Sequence, residues 1–178
     1  MDRLFKNGRA EMMEKSSKNL VLLFISFFFL SCSTMRYHIK RNTTETQKQV
    51  NRLYKKNGNA FYLCSTFATF SVVWTYSGEN IEIFRMQKGK VKRKQIFRAK
   101  YIIQNTMFSP EDIEDELYRK CAMVLDGDVF GYIIDINHKT YNANYDIDIN
   151  CLKQGQFKSD FWGLITHDIN NFGMWEFD

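Results

Sequence analysis

The stretch TFSVVWTYSGENIEIFRMQKGKVKRKQIFRAKYII, residues Thr69–Ile103, decides the fold. Its first nine residues alternate between apolar and small polar side chains, the period-2 pattern of a half-buried β-strand. Turn sequences centred on Gly78 and Gly89 then divide the remainder into two further strands. Connections this short allow only antiparallel pairing, so the stretch predicts a three-strand antiparallel meander. The predicted strands are Thr69–Ser77, Ile81–Met86 and Val91–Ile103.

A short helix is predicted upstream of the meander, over Thr46–Lys56. Val50, Leu53 and Tyr54 recur three and four residues apart and therefore share one face of it. Asn57-Gly58 ends the helix, since glycine is the preferred residue just past a helix C-terminus. The sequence pattern typical of β-strands begins after this helix end, from Phe61 onward.

Ser109-Pro110-Glu111-Asp112 predicts the start of the main helix. Ser109 suits the N-cap, Pro110 suits the first helical position, and Asp112 completes a capping box. The acidic residues of the first turns match the helix dipole, which accounts for them without a metal site. The apolar face that packs on the sheet consists of Ile113, Leu117 and Cys121.

Downstream, a second hairpin is predicted with strands Val129–Ile136 and Tyr145–Leu152. A short helix over Asp160–Ile169 and a last strand over Met174–Phe177 follow it. These elements indicate an α+β fold in which the antiparallel meander and the hairpin pack with one main capped helix in a single small domain.

Three cysteines follow Cys32, and their odd number allows at most one disulfide bond within the chain. Cys121 and Cys151 each fall on a predicted inward face, so this pair is the favoured bond. The alternative is that all three, including Cys64, are small buried apolar residues. Because no CxxC motif occurs, neither a zinc site nor a redox motif is indicated.

The apolar run LVLLFISFFFLSC, Leu20–Cys32, follows a lysine-bearing segment and is too short to span a membrane. Its length and flanks are typical of a secretory signal peptide. Phe29-Leu30-Ser31-Cys32 resembles the lipobox of bacterial lipoproteins, in the relaxed form of the Bacteroidota. The resemblance implies that Cys32 becomes the acylated N-terminus of a cell-envelope protein, held at the outer membrane. A retained N-terminal anchor is the alternative.

These features predict that the chain consists of three parts. Residues 1–31 form the signal peptide, with Met13 as the suggested true start because the lead after it has the usual length. Residues 32–59 form a polar tether that passes into the short helix. Residues 60–178 form the α+β domain, whose length is typical of one domain.

Candidate chemistry is sparse. Asp146, Asp148 and Asn150 have the spacing of a calcium loop, but the glycine and glutamate that such a loop needs are missing. Strand alternation explains the spacing equally well. No phosphate-binding loop, dinucleotide fingerprint or HExxH motif occurs, so we expect no cofactor and no metal.

Cys64 followed by Ser65 permits comparison with the NlpC/P60 cell-wall peptidases, whose nucleophile lies in an Asp-Cys-Ser-Gly context. Here Leu63 replaces the aspartate and Thr66 replaces the glycine. A catalytic cysteine also needs a nearby base, for which His138 and His167 are the candidates. A cell-envelope hydrolase that uses Cys64 with one of them is therefore the alternative function.

The largest charge feature is a run of basic residues without an acid between Arg85 and Lys100, in a chain of net charge +5. Lysines on an exposed edge strand protect against aggregation, which is the simpler explanation. The alternative is a patch for an anionic partner. Export excludes nucleic acid, so the candidate partners are envelope proteins, glycans and anionic lipid headgroups, besides the membrane that holds the lipid anchor. The patch comprises Arg85, Lys88, Lys90, Lys92, Arg93 and Lys94.

Together these features predict a lipid-anchored envelope protein that acts as a non-enzymatic binding or assembly module.

Overall fold

The computed structural model describes residues 37–99, 116–117, 127–155 and 157–174, and the single residues 109, 114 and 121. The chain divides into two units, Met1–His38 and Ile39–Asp178, and only Tyr37 and His38 of the first unit are described. Predictions that lie outside the described residues concern the apolar run, Met13, Cys32, Lys100, and the last strand beyond Met174.

One antiparallel sheet organises the described part of the second unit. Its strands lie in the order β4-β3-β2-β1-β5-β6, and every neighbouring pair is antiparallel. The predicted meander is therefore present, and β1 joins it to the second hairpin in one sheet. The strands are β1 (Asn59–Cys64), β2 (Phe70–Ser77), β3 (Asn80–Gln87), β4 (Lys90–Arg98), β5 (Asp128–Ile136) and β6 (Lys139–Ile147). The helices are α1 (37–57), α2 (Ile149–Gln154) and α3 (Asp160–Asn171).

Strand β2 is buried on both faces, so the prediction that it is half-buried was wrong. On one face Val73 packs in a cluster with Val50 and Leu53 of α1. On the other face Trp74 packs in the larger cluster with Trp162 of α3. Alternation of apolar and small polar residues identified the strand, but the small polar residues of the second face are covered by α1.

Helix α1 is longer than the predicted helix, because residues 37–45 are helical as well. Two side-chain hydrogen bonds attach this part of α1 to Ser71 of β2: Asn42 Nδ2 donates to Ser71 Oγ at 3.4 Å, and Thr46 Oγ1 lies 2.6 Å from it. Asn42 and Thr46 are both buried. The helix ends where predicted, with Gly58 at φ 68° and its N–H bonded to the Tyr54 carbonyl at 2.7 Å.

The hairpin β5–β6 differs from its prediction. Its second strand was predicted to start at Tyr145, but Asn137 and His138 form a tight turn and the strand begins at Lys139. Both turn residues have positive φ, 51° and 63°, as two-residue hairpin turns require. Ile149–Gln154 forms α2 instead of extending the strand, because Asp148 caps the helix by accepting from the Asn150 N–H.

The predicted capped helix lies mostly outside the described residues. Glu114, Glu116 and Leu117 are helical, and Leu117 is buried in the larger cluster. Glu116 accepts hydrogen bonds from the backbone N–H groups of Lys158 and Ser159, the residues just before α3. The fold is thus a mixed one, with helices packed on a six-strand antiparallel sheet.

The disulfide bond favoured by the sequence, Cys121–Cys151, is present in the structure. Cys121 is buried, and Cys151 lies on α2. The bond therefore ties the segment after Leu117 to the short helix that precedes α3.

Candidate functional site

The structure separates Cys64 from His138. Cys64 is the last residue of β1 and pairs with Val129, near the start of β5, whereas His138 follows the other end of that strand. A strand rises about 3.3 Å per residue, so the seven steps from Val129 to Ile136 place the two residues more than about 20 Å apart. A general base must lie within hydrogen-bond reach of its proton, so this pair is not a catalytic dyad.

His167 does not reach Cys64 either. Helix α3, which carries His167, packs on the sheet face that contains Leu63. Successive residues of a strand point to opposite faces, so Cys64 points to the face covered by α1. The sheet therefore lies between the thiol and this imidazole.

Burial, and to a smaller extent the nearby Asp128 carboxylate, raises the pKa of the Cys64 thiol to about 12. A nucleophilic cysteine needs a lowered pKa, so this environment opposes the hydrolase alternative as well.

Cys64 is therefore expected to resist alkylation. We expect iodoacetamide at pH 8 to modify the native protein slowly, because only a small fraction of the buried thiol ionises at that pH. The same protein in denaturant should react fully within minutes. Mass spectrometry of the Cys64 peptide measures both rates, and rapid native labelling would contradict the burial and the raised pKa.

His167 and Asp168 belong to a hydrogen-bonded network that joins α3 to β2. The Tyr76 hydroxyl donates to Asp168 Oδ2 at 2.6 Å, and His167 Nδ1 lies 3.0 Å from Asp168 Oδ1. Asn171 Nδ2 lies 2.6 Å from His167 Nε2. Burial raises the pKa of Tyr76 well above its usual value, which keeps its hydroxyl protonated. The network satisfies the fully buried Asp168 and so stabilises the packing of α3.

A second polar cluster lies beside the β5–β6 turn. Asp135 Oδ1 accepts hydrogen bonds from Thr140 Oγ1 at 2.6 Å and from the Tyr54 hydroxyl at 2.7 Å, and these bonds lower the pKa of Asp135. Asn137 and His138 line the same open depression. The two hydroxyl groups hold the Asp135 carboxylate between α1 and the hairpin, so the negative charge of Asp135 has a structural role.

Two of the acidic residues in this part of the chain have structural roles. Asp148, which has the spacing of a calcium loop, caps α2 instead. Asp128 accepts from the Thr66 N–H at 2.8 Å and from the Thr66 hydroxyl at 3.1 Å. Within the described ranges, no three His, Cys, Asp or Glu side chains are placed to hold a metal ion.

Two members of the predicted basic patch have internal partners. Arg85 Nη2 donates to the carbonyls of Phe172 and Gly173 at the end of α3, at 2.9 and 2.7 Å. Lys94 lies 3.4 Å from Glu82, which also accepts from Lys56 at 3.0 Å. The hydrogen bond from Lys56 is the main reason that the pKa of Glu82 is lowered. Arg85 therefore does not belong to the patch, and Lys94 shares the negative charge of Glu82 with Lys56.

The other four members form an exposed cluster at the β3–β4 turn. This turn consists of Lys88 and Gly89, with φ of 50° and 71°. We call the cluster the basic tip and add Arg41 of α1, whose side chain packs on Gly89. A Cβ atom built at Gly89 would lie 2.7 Å from Arg41 Cγ. The basic tip comprises Arg41, Lys88, Lys90, Lys92 and Arg93, all exposed and without an ion pair within the described part of the chain.

Strand β4 lies at one edge of the sheet and exposes apolar side chains among its basic ones. Val91 and Ile96 are 48% and 57% exposed. The pairing of β3 with β4 is irregular between Arg85 and Met86. Val91 pairs with Met86, on the side of this irregularity nearer the turn, so it lies within the basic tip.

The sequence had assigned Arg41 and its neighbours to the tether and so did not place them at this site. Asn42 is the residue that brings them there, since its Oδ1 accepts from the Gly89 N–H at 2.9 Å. No local pattern signals a contact between residues this far apart in sequence.

No known protein family matches the chain, and neither a curated protein nor a solved structure matches it. The class that its fold and site define is an α+β protein with a basic tip on a six-strand antiparallel sheet. None of the helices within the described residues has the length and apolar composition needed to cross a membrane.

Proposed function

We propose that the protein is a non-enzymatic binding module of the bacterial cell envelope, anchored at the outer membrane by an acylated Cys32. Its binding surface is the basic tip, and its partner is anionic. The observation that carries the proposal is that five exposed basic residues, four in or just after the β3–β4 turn and one packed on Gly89, have no ion pair among the described residues. Unneutralised charge of one sign attracts a partner of the opposite sign.

The geometry favours binding over hydrolysis. Cys64 is buried and kept apart from both histidines, and the other acid and base groups serve the packing of α3 and of the β5–β6 turn. A hydrolase needs a nucleophile, a base and an orienting group in reach of one another.

Metabolic labelling tests the anchor. In cells fed a palmitate analogue, the natural chain should incorporate the label, and Cys32→Ala should not. Cys64→Ala is the matched control and should be labelled like the natural chain, because Cys64 lies within β1. Label on Cys32→Ala would refute acylation at this residue.

Binding to a heparin column, as a model polyanion, tests the surface. We expect Lys90→Glu/Lys92→Glu/Arg93→Glu to elute at much lower salt than the natural protein, because each lost contact weakens a salt-sensitive attraction. Lys55→Glu/Lys139→Glu/Lys153→Glu makes the same change of net charge at exposed positions outside the tip. Equal elution of the two variants would show that overall charge, not the basic tip, causes retention.

A further inference from the structure

The basic tip lies next to the point at which the chain leaves the folded unit towards Cys32. Arg41 packs on Gly89, and Asn42 Oδ1 accepts from the Gly89 N–H at 2.9 Å. Glycine is required at this position, because its φ of 71° is unfavourable for other residues and a Cβ atom would collide with Arg41.

This part of α1 is firmly held. Asn42 is fully buried and bonds both Ser71 and Gly89, and Thr46 bonds Ser71 one turn later. Buried polar groups seldom give up their partners, since an unsatisfied group costs about 1–3 kcal/mol. The direction in which the chain approaches the basic tip is therefore fixed by the fold.

The distance between the tip and the anchor site is limited by the chain. Residues 37–41 belong to α1 and rise about 6 Å along it, so Cys32 lies at most about 24 Å from Arg41 when residues 32–37 are extended, and about 14 Å away when they are helical. An acyl chain on Cys32 would keep the tip close to the headgroup layer in either case.

We infer that the basic tip docks on the anionic phospholipid headgroups of the membrane that holds Cys32. The β3–β4 turn and the beginning of α1 then face the bilayer, and the opposite end of the sheet faces away from it. The inference rests on the proposed function for the anchor and names the anionic partner that the proposal leaves open.

Charge and composition of the tip fit a headgroup layer. Each lysine or arginine near an anionic surface strengthens binding about fivefold, and the tip has five. The exposed Val91 supplies an apolar side chain at the boundary with the acyl region.

An extended peptide added to β4 fits the tip less well. Strand addition would use the backbone along the whole of β4, and lysines on an edge strand oppose such pairing. Along β4, the basic residues farther from the turn, Lys94 and Arg98, contact Glu82 and Glu79, whereas those near the turn have no ion pair among the described residues.

Lysine footprinting of the mature, acylated protein tests the inference. The protein is reconstituted into vesicles of phosphatidylcholine alone, or with about 30% phosphatidylglycerol to give an anionic surface. An amine-reactive ester then labels the lysines, and mass spectrometry measures each site. Lys55, Lys139 and Lys153, exposed and outside the tip, are controls within the same molecule.

We expect labelling of Lys88, Lys90 and Lys92 to fall at least about fivefold on the anionic vesicles, with the control lysines unchanged. The protection should disappear in about 1 M salt, where charges are screened beyond about 3 Å. Equal labelling of the tip on neutral and anionic vesicles would overturn the inference.

The outcomes separate this inference from the proposed function. Retention on heparin without protection on vesicles would leave an anionic partner other than the membrane and refute only the docking. If the natural protein neither binds heparin nor is protected on anionic vesicles, both the proposed function and the membrane docking are refuted. Protection of all six lysines alike would show general shielding by the vesicle, which also contradicts docking through the tip.

Discussion

Replacing Cys121 and Cys151 together by alanine is expected to lower the free energy of unfolding by about 3–4 kcal/mol. The two cysteines are 30 residues apart, and closing a loop of this length removes about 3.6 kcal/mol of chain entropy from the unfolded state. The bond also connects α2 to the segment that follows Leu117, which is a buried residue of the main core. Denaturant unfolding, followed by tryptophan fluorescence, measures the change.

Reduction supplies the matched comparison for this prediction. The natural protein in dithiothreitol should unfold at nearly the same denaturant concentration as the double variant, and the double variant itself should not respond to the reductant. A Cys64→Ala protein should still respond, because Cys64 takes no part in the bond. A natural protein that is insensitive to reductant would contradict a stabilising role for this bond.

The meander could be predicted from the sequence because its signals are local. Alternation over Thr69–Ser77 and glycines at the turns define neighbouring strands that pair with one another. The burial of both faces of β2 could not be predicted in the same way. It depends on α1, whose beginning is held by contacts of Asn42 and Thr46 with Ser71, residues distant in sequence.

The error in the second hairpin has a local cause. Tyr145 and Ile147 alternate as a strand should, and Ile149 and Cys151 continue the period, so the sequence favoured one strand through all four. A capping aspartate at Asp148 ends that strand, because its side chain accepts the first free N–H groups of α2. The capping residue is visible in the sequence, but the alternation of apolar residues continues past it and indicates a strand.

The candidate site was partly predictable. A basic run without acids is visible in the sequence, and four of its six patch residues lie in the basic tip. Which members stay unneutralised could not be predicted, because the partners of Arg85 and Lys94 come from α3 and from β3. The proximity of Arg41 depends on long-range hydrogen bonds that its neighbours in α1 make with Ser71 and Gly89.

Replacing Phe61 by alanine is expected to lower the free energy of unfolding by about 3–5 kcal/mol. Phe61 lies on the central strand β1, is fully buried, and has four aromatic neighbours among the described residues. The loss has two parts, the transfer free energy of the ring and the cost of the cavity left behind. The ring centroids around it are those of Trp74 at 5.6 Å, Tyr76 at 5.5 Å, Tyr132 at 6.3 Å and Phe161 at 6.3 Å.

Phe67→Ala is the matched control, since it removes the same ring from the loop between β1 and β2, where it is 61% exposed. We expect this control to change stability by less than about 0.5 kcal/mol, as surface substitutions usually do. If Phe61→Ala left no folded protein to measure, Phe61→Leu should still fold with a smaller loss, because leucine fills much of the cavity. Equal effects of Phe61→Ala and Phe67→Ala would mean that the core is not centred on β1. The packing of α3 on that face, including the hydrogen-bonded network of Tyr76, His167 and Asp168, would then need a different explanation.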